Sequence, residues 1–494
     1  MSRFKLKFAI AVLFVLSLPL AGQGYEIEIN VKQMAGKPVI LGEYFTSRMV
    51  PKDTVILDKA GKGVFRGETA FKGGLYILYF SPTRIADFLM DKNQRFSIRI
   101  DPADLLNKTV FSGSSENVVF QEYKKYLEKQ RTAMNALKTE LEACTDAADS
   151  TRIRKNMDEL NRQTGDYIDG LIEKDPGLFS STFLRAMKDV EVPEELLKGT
   201  KQQVDSIRYF YYKNHFFDNM DPADVRLLHT PLYEPRVKTY IEKVVTQIPD
   251  SLIAACDYLI GKTRNDDELF RYMLVTLFNY FADSKYVVMD KVYFHIAEKY
   301  YIPYASWSSP DFITKLKENL ELNKPTFVGN TAPDFTLRAI APELVQLSAT
   351  DTTLKKDPHI GYSFNLHQIN SKFTLLYFWE ADCGHCKKSS PELQEVYERI
   401  KDKGVTVLAC HVINSVEGKV LWMDFLNEYG MYDWINCWSP YNNDFRKMYN
   451  LQSFPQLFLL DKDKKIIAKR LTPQQAEEII NSITENESSG NSQE

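Results

Sequence analysis

Residues 375–391 read Leu-Leu-Tyr-Phe-Trp-Glu-Ala-Asp-Cys-Gly-His-Cys-Lys-Lys-Ser-Ser-Pro, and no other stretch restricts the fold as tightly. The apolar run 373–379 predicts a strand buried on both faces. After Glu380, Ala381 and Asp382 comes Cys383-Gly384-His385-Cys386. Leu393, Val396, Tyr397 and Ile400 then recur at helical spacing. The two cysteines therefore fall where a strand ends and a helix begins.

That junction has chemical consequences. Cys383 is expected at a helix N-terminus, where free N–H groups and the helix dipole favour a thiolate. Such placement lowers a cysteine pKa from about 8.5 into a range of about 3.5–7.5. Cys386 is one turn further in, close enough to close a disulfide with it. His385, between them, adds positive charge or a hydrogen bond in favour of the Cys383 thiolate. The expected chemistry is thiol–disulfide exchange, with Cys383 attacking and Cys386 resolving the mixed disulfide.

On these residues the sequence resembles the thioredoxin superfamily. Phe378-Trp379 ahead of the Cys-x-x-Cys is one mark, and Pro391 matches the proline that kinks the active-site helix. Phe454-Pro455, followed by the apolar run 456–460, matches the cis-proline loop and the strand after it. Ala332-Pro333-Asp334-Phe335 resembles the opening hairpin of the TlpA/ResA-like periplasmic branch. The resemblance covers 325–486 and implies a thioredoxin-like α/β domain there. It implies that Pro455 packs over the cysteines, with its neighbouring backbone pairing to substrate as an added strand. Phe454 would then line the substrate groove beside Trp379. No cofactor is implied beyond the redox-active disulfide Cys383–Cys386. The implied partners are secreted thiol or disulfide proteins and a membrane-linked redox partner.

The chain also departs from that pattern. Most thioredoxins carry Trp directly before the first active cysteine; here it is Asp382, whose charge opposes a thiolate. Tyr377 fills the position of the buried proton-shuttling Asp, and Ser389 that of the Glu found in ResA-like reductases. The usual acid–base partner is missing unless Glu380 or water substitutes. Gly384-His385 is the dipeptide of protein disulfide isomerase, which points to a more oxidising couple than thioredoxin's. The two family potentials, about −180 and about −270 mV, differ by about 4 kcal/mol of disulfide stability.

Residues 1–24 read as a secretory signal. Arg3, Lys5 and Lys7 precede an apolar 8–18 stretch, and Ala21, Gly22 and Gly24 suit a cleavage zone. The apolar stretch is too short for the roughly 20 residues a spanning helix takes. No cysteine follows it, so the expected address is the periplasm, reached by cleavage and not as a lipoprotein or a membrane-spanning protein. Without these residues the chain holds 59 Lys and Arg against 66 Asp and Glu, a net −7. That balance argues against nucleic acid or anionic membrane as partner. Six cysteines in 494 residues do not make a disulfide scaffold. Cys144 and Cys256 read as buried small hydrophobes. Cys410 and Cys437 fall on candidate neighbouring strands, where a second disulfide is an open alternative. Zinc binding at the Cys-x-x-Cys lacks a second Cys or His pair, so no metal is expected.

Residues 25–112 alternate apolar and polar from Tyr25 onward, with further strands expected at 38–45, 54–57, 63–67, 75–80 and 95–100. The expectation is a small antiparallel sandwich or barrel, resembling the small domain of unknown function that precedes thioredoxin modules in secreted Gram-negative proteins. From 113 to 322 the periodicity is helical. The aromatic runs 209–212 and 278–281 are expected to pack between helices. His215, His229 and His295 show no metal-ligand spacing. The whole reads as a multidomain chain: signal 1–24, all-β domain 25–112, all-α domain 113–322, thioredoxin-like domain 325–486 and a disordered tail 487–494. Two functions fit it. One is a periplasmic thiol–disulfide oxidoreductase of the reductase or isomerase type; the other is a non-catalytic binding or adaptor protein whose thioredoxin module is structural.

Overall fold

The computed structural model describes residues 24–82, 84–438 and 444–490. The signal reading falls on residues outside these, apart from Gly24. The described chain divides into two compact units. One takes the residues up to Val245 together with Lys262–Leu269; the other takes Thr246–Gly261 and everything from Phe270 on.

The first unit begins with eight strands: β1 (Tyr25–Asn30), β2 (Pro38–Phe45), β3 (Arg48–Ile56), β4 (Lys62–Gly67), β5 (Gly74–Ser81), β6 (Arg84–Met90), β7 (Arg95–Arg99) and β8 (Val110–Ser112). They form two four-stranded sheets, ordered β4-β1-β7-β8 and β3-β2-β5-β6. Ile27, Ile29, Phe96 and Ile98 from one sheet and Leu41, Tyr76, Leu78 and Phe88 from the other share one core. The sandwich is not wholly antiparallel, because β1 pairs parallel with β7. Strand β6 was not expected, since Asp87 breaks the alternation. Most of β3 was missed as well: it is an edge strand, polar and interrupted by Pro51, with Ile56 left 71% exposed.

Two long helices follow, α1 (Ser115–Ala143) and α2 (Ala147–Lys174). The Ser114 side chain caps α1 by accepting from the Asn117 N–H. Asn117 in turn bonds both backbone groups of Leu89, tying α1 to β6. The remaining helices up to Asn323 fall partly in one unit and partly in the other. The aromatic runs diverge. Phe278 stacks on Tyr301 and meets Tyr293, but the helix Lys201–His215 has no fully buried residue and Phe210 is exposed.

The second unit carries a seven-stranded sheet: β9 (Thr336–Ala339), β10 (Tyr362–Asn365), β11 (Phe373–Trp379), β12 (Val405–His411), β13 (Ile435–Trp438), β14 (Gln456–Leu460) and β15 (Ile466–Lys469). Its order is β10-β9-β13-β12-β11-β14-β15. Strands β11, β12 and β13 run parallel, and the outer ones are antiparallel. All seven residues of β11 are buried. Leu375, Tyr377 and Trp379 face one core with the apolar residues of α3 (Gly384–Ile400) and α4 (Val416–Tyr429). Leu376 and Phe378 face a second core with Phe445 of α5 (Asp444–Met448). The chain between β9 and β10 holds two short helices and is pinned to α4, where fully buried Lys419 donates to the carbonyls of Leu354 and Asp357. The last helix, α6 (Pro473–Gly490), runs past the expected end of order at residue 486. There Glu487 pairs with Lys372.

Candidate functional site

Strand β11 delivers the chain to a short turn. The Cys383 N–H donates to the Glu380 carbonyl at 3.3 Å, and the Lys387 N–H donates to the Cys383 carbonyl at 3.0 Å. Cys383 is thus the N-cap of α3, and its side chain caps nothing. Its sulfur is half-buried, whereas Cys386 one turn on is fully buried; both are free thiols. Burial pushes the Cys386 thiol well above the usual range. A backbone hydrogen bond from Glu380 works the other way, while the Cys383 side chain and the Glu380 charge add to the rise. One sulfur is presented and the other is held back in its neutral form. A Cβ placed on Gly384 would meet nothing within 4 Å, so the chain is open at that position between the two cysteines.

The second wall is the loop before β14. The Phe454–Pro455 peptide is cis, and the Cys383 thiol lies 3.7 Å from the Phe454 carbonyl oxygen as donor. Phe454 is half-buried between the two cores. The structure therefore brings Cys383, Gly384, Cys386, Phe454 and Pro455 together.

Trp379 is elsewhere. It is fully buried, packed against Phe425 at 5.1 Å and His411 at 5.7 Å between ring centroids. It braces the strand end from below and does not line a groove beside Phe454, because its position in β11 turns it into the core. Asp382 and His385 are both exposed. Glu380 does not stand free as an acid–base partner: Arg446 Nη2 donates to its carboxylate at 3.1 Å. Tyr377 lies in the core below the cysteines, and its hydroxyl and that of Ser390 are 3.0 Å apart. Pro391 lies inside α3, as the spacing from Cys383 predicts.

Two contributors escaped the sequence reading. His411, the last residue of β12, accepts from the Ala381 N–H through Nε2 at 3.3 Å. Burial drives its pKa down to about 3, against a backbone hydrogen bond with Ile413, and the Arg446 charge lowers it further. It is therefore a neutral acceptor that fixes the turn before Cys383. Arg446 comes from α5, with no local spacing that links it to residue 380. Its strand-end and helix context gave no signal; only the tertiary fold does. Cys410 and Cys437 are exact register partners on β12 and β13 and are both fully buried as free thiols. Cys256 is buried as expected, but Cys144 is only half-buried at the end of α1, its thiol donating to the Asp146 carbonyl at 3.3 Å. His229 and His295 are held by carboxylates, Glu43 at 2.6 Å and Asp257 at 2.8 Å. Among the described residues no group of three or more His, Cys, Asp or Glu could hold a metal ion, and no helix is long and apolar enough to cross a membrane.

A parallel-centred sheet with a Cys-x-x-Cys just past the end of its buried strand β11 and a cis-proline loop facing it defines a thioredoxin-fold protein. The Redoxin family model matches residues 327–485, and models described as Domain of unknown function (DUF5106) and Domain of unknown function (DUF4369) match 143–323 and 25–120. The thiol–disulfide oxidoreductase ResA of Geobacillus kaustophilus is 30% identical over 159 residues, which is 32% of this chain and 78% of the relative. ResA of Oceanobacillus iheyensis is 27% identical over 167 residues, covering 33% and 75%. A solved thioredoxin-like protein from Bacteroides caccae is 21% identical, with 59% of this chain and 97% of that one aligned at a TM-score of 0.40. The chain belongs to the ResA family of thiol–disulfide oxidoreductases, and it is an oxidoreductase enzyme.

Proposed function

We propose that the chain exchanges disulfides with secreted proteins in the periplasm through Cys383 and Cys386. The observation that carries this reading is the unequal placement of the two sulfurs: Cys383 half-buried at a helix N-terminus opposite the Phe454 carbonyl, Cys386 buried one turn behind.

In the reductive direction the Cys383 thiolate attacks one sulfur of a substrate disulfide. A Cys383–substrate disulfide forms and the other substrate sulfur leaves as a thiolate, taking up a proton. Cys386 then loses its proton and attacks the Cys383 sulfur, closing Cys383–Cys386 and releasing the second substrate thiol. Two electrons have passed to the substrate, and a thiol donor, here assigned to a membrane-linked redox partner, restores the dithiol by the same steps reversed. The oxidative direction runs the sequence backwards. The open space over Gly384 and the edge of the Phe454–Pro455 loop supply the ground for an extended substrate segment. His385 and Asp382 sit exposed at the rim, and Trp379 supports the turn from the core.

The test is alkylation of the purified chain across a series of glutathione redox buffers. Cys383 and Cys386 are expected to convert together between dithiol and disulfide, and Cys386→Ala is expected to trap mixed disulfides on Cys383. A pair that never interconverts would remove the reading and leave the module as a binding scaffold.

A further inference from the structure

Arg446 joins the segments that make the site. Its Nη2 donates to the Glu380 carboxylate and to the Val412 carbonyl, each at 3.1 Å. Its guanidinium lies 5.2 Å from the centroid of the Phe454 ring. One side chain thus touches the turn before Cys383, the end of β12 and the loop whose carbonyl faces the Cys383 sulfur. An arginine suits this task because its planar fork holds two acceptors while its face lies on a ring.

Charge gives the contact its significance. Glu380 is three residues from Cys383, and its carboxylate adds to the rise that burial gives the Cys386 thiol. The two sulfurs act on each other and on Tyr377 of β11, Glu380 acts on Cys386, and Arg446 acts on Glu380 and on the neutral His411 of β12, whose ring holds the Ala381 N–H of the same turn. Among these Arg446 is the cation in direct contact with Glu380. Without it the carboxylate would stand uncompensated beside sulfurs that react as anions.

We propose that Arg446 is a positioning residue for the exchange reaction, which neutralises Glu380 and clamps it to the Phe454 loop so that the thiolates form against a compensated charge. This rests on Cys383 and Cys386 being the exchanging pair.

The experiment uses the full chain and an aromatic disulfide probe, 5,5′-dithiobis(2-nitrobenzoic acid), with the reaction rate followed from pH 5 to 10. In Arg446→Met the rate at neutral pH is expected to fall severalfold and to recover at alkaline pH. The double variant Arg446→Met with Glu380→Gln is expected to regain the neutral-pH rate. A single variant within twofold of the unaltered chain, or a double variant no faster than the single, overturns the proposal. Should Arg446→Met fail to fold, Glu380→Gln alone decides: a faster neutral-pH reaction supports it and an unchanged or slower one overturns it. Failure of the unaltered chain to cycle in glutathione buffers would instead remove the reading of the pair itself.

Discussion

The Tyr377 and Ser390 hydroxyls meet at 3.0 Å in the core, directly under the helix that carries both active-site cysteines. Burial raises the Tyr377 phenol well beyond its usual range, hydrogen bonds to Ser390 and Ser389 oppose this, and the nearby sulfurs of Cys386 and Cys383 add to it. The phenol is therefore neutral at every working pH, and it fixes α3 to β11 without supplying a charge. Tyr377→Phe removes the buried hydrogen bond to Ser390 and leaves that hydroxyl without this partner. The expected cost is about 1–2 kcal/mol, read as a lower urea midpoint at unchanged slope.

Sulfur accessibility gives a second expectation. Cys383 is half-buried, and Cys256, Cys386, Cys410 and Cys437 are buried. Iodoacetamide on the reduced native chain should modify Cys383 readily and leave those four untouched until denaturant is added. In Cys383→Ser the thiol of Cys386 should remain unreactive through neutral pH, because burial holds it protonated. Mass spectrometry of peptides after timed labelling checks both statements; early labelling of Cys386 would contradict the unequal placement.

The parallel pairing of Cys410 with Cys437 places two thiols side by side in the apolar core opposite the active-site face. Cys437→Ser puts a hydroxyl into that core in place of a small hydrophobe. A loss of about 1–3 kcal/mol is expected in thermal or urea unfolding, with the rate of Cys383 alkylation unchanged because Cys437 lies on the other side of the sheet.

Much of this architecture is readable along the chain. The run 373–379, apolar but for Thr374, announced a strand covered on both faces. The cysteines and the cis-proline loop were visible because each has a local signature. What escaped depends on contacts distant in sequence. Arg446 reaches Glu380 across 66 positions, and His411 reaches Ala381 across 30, so no spacing betrays either. Trp379 was misplaced for a different reason: adjacency to the motif suggested a groove, but strand alternation sends it inward. Strand β3 hid because an edge strand need not alternate, and the parallel β1–β7 pair hid because register is a property of two segments at once.

In the first unit, buried His229 lies between Glu43 at 2.6 Å and Glu268 at 3.2 Å. Burial works against its charge, but the hydrogen bonds and charges of the two carboxylates outweigh that and raise its pKa. A raised histidine stabilises the fold below its unfolded pKa of about 6.5 and loses that contribution as pH climbs through the higher folded value. His229→Gln is expected to flatten the stability curve on the alkaline side of about pH 6.5, measured as thermal midpoint against pH.

His411 has the opposite sign. Its folded pKa is depressed to about 3 by burial first, with a backbone hydrogen bond to Ile413 opposing and the Arg446 charge reinforcing. Below about 6.5 the unfolded chain takes up a proton on this residue that the folded chain refuses. Stability contributed by the neutral ring is therefore full above about pH 6.5 and drains away as pH falls towards about 3, at no more than about 1.4 kcal/mol per pH unit. The ring is also the acceptor that holds the Ala381 N–H ahead of Cys383, and because the folded ring stays neutral down to about pH 3 it keeps that bond across this window. His411→Gln keeps an acceptor without a titrating group. Urea unfolding between pH 7 and pH 4 should then show a shallower decline than in the unaltered chain, and an equal decline in both would mean that His411 does not titrate in this window.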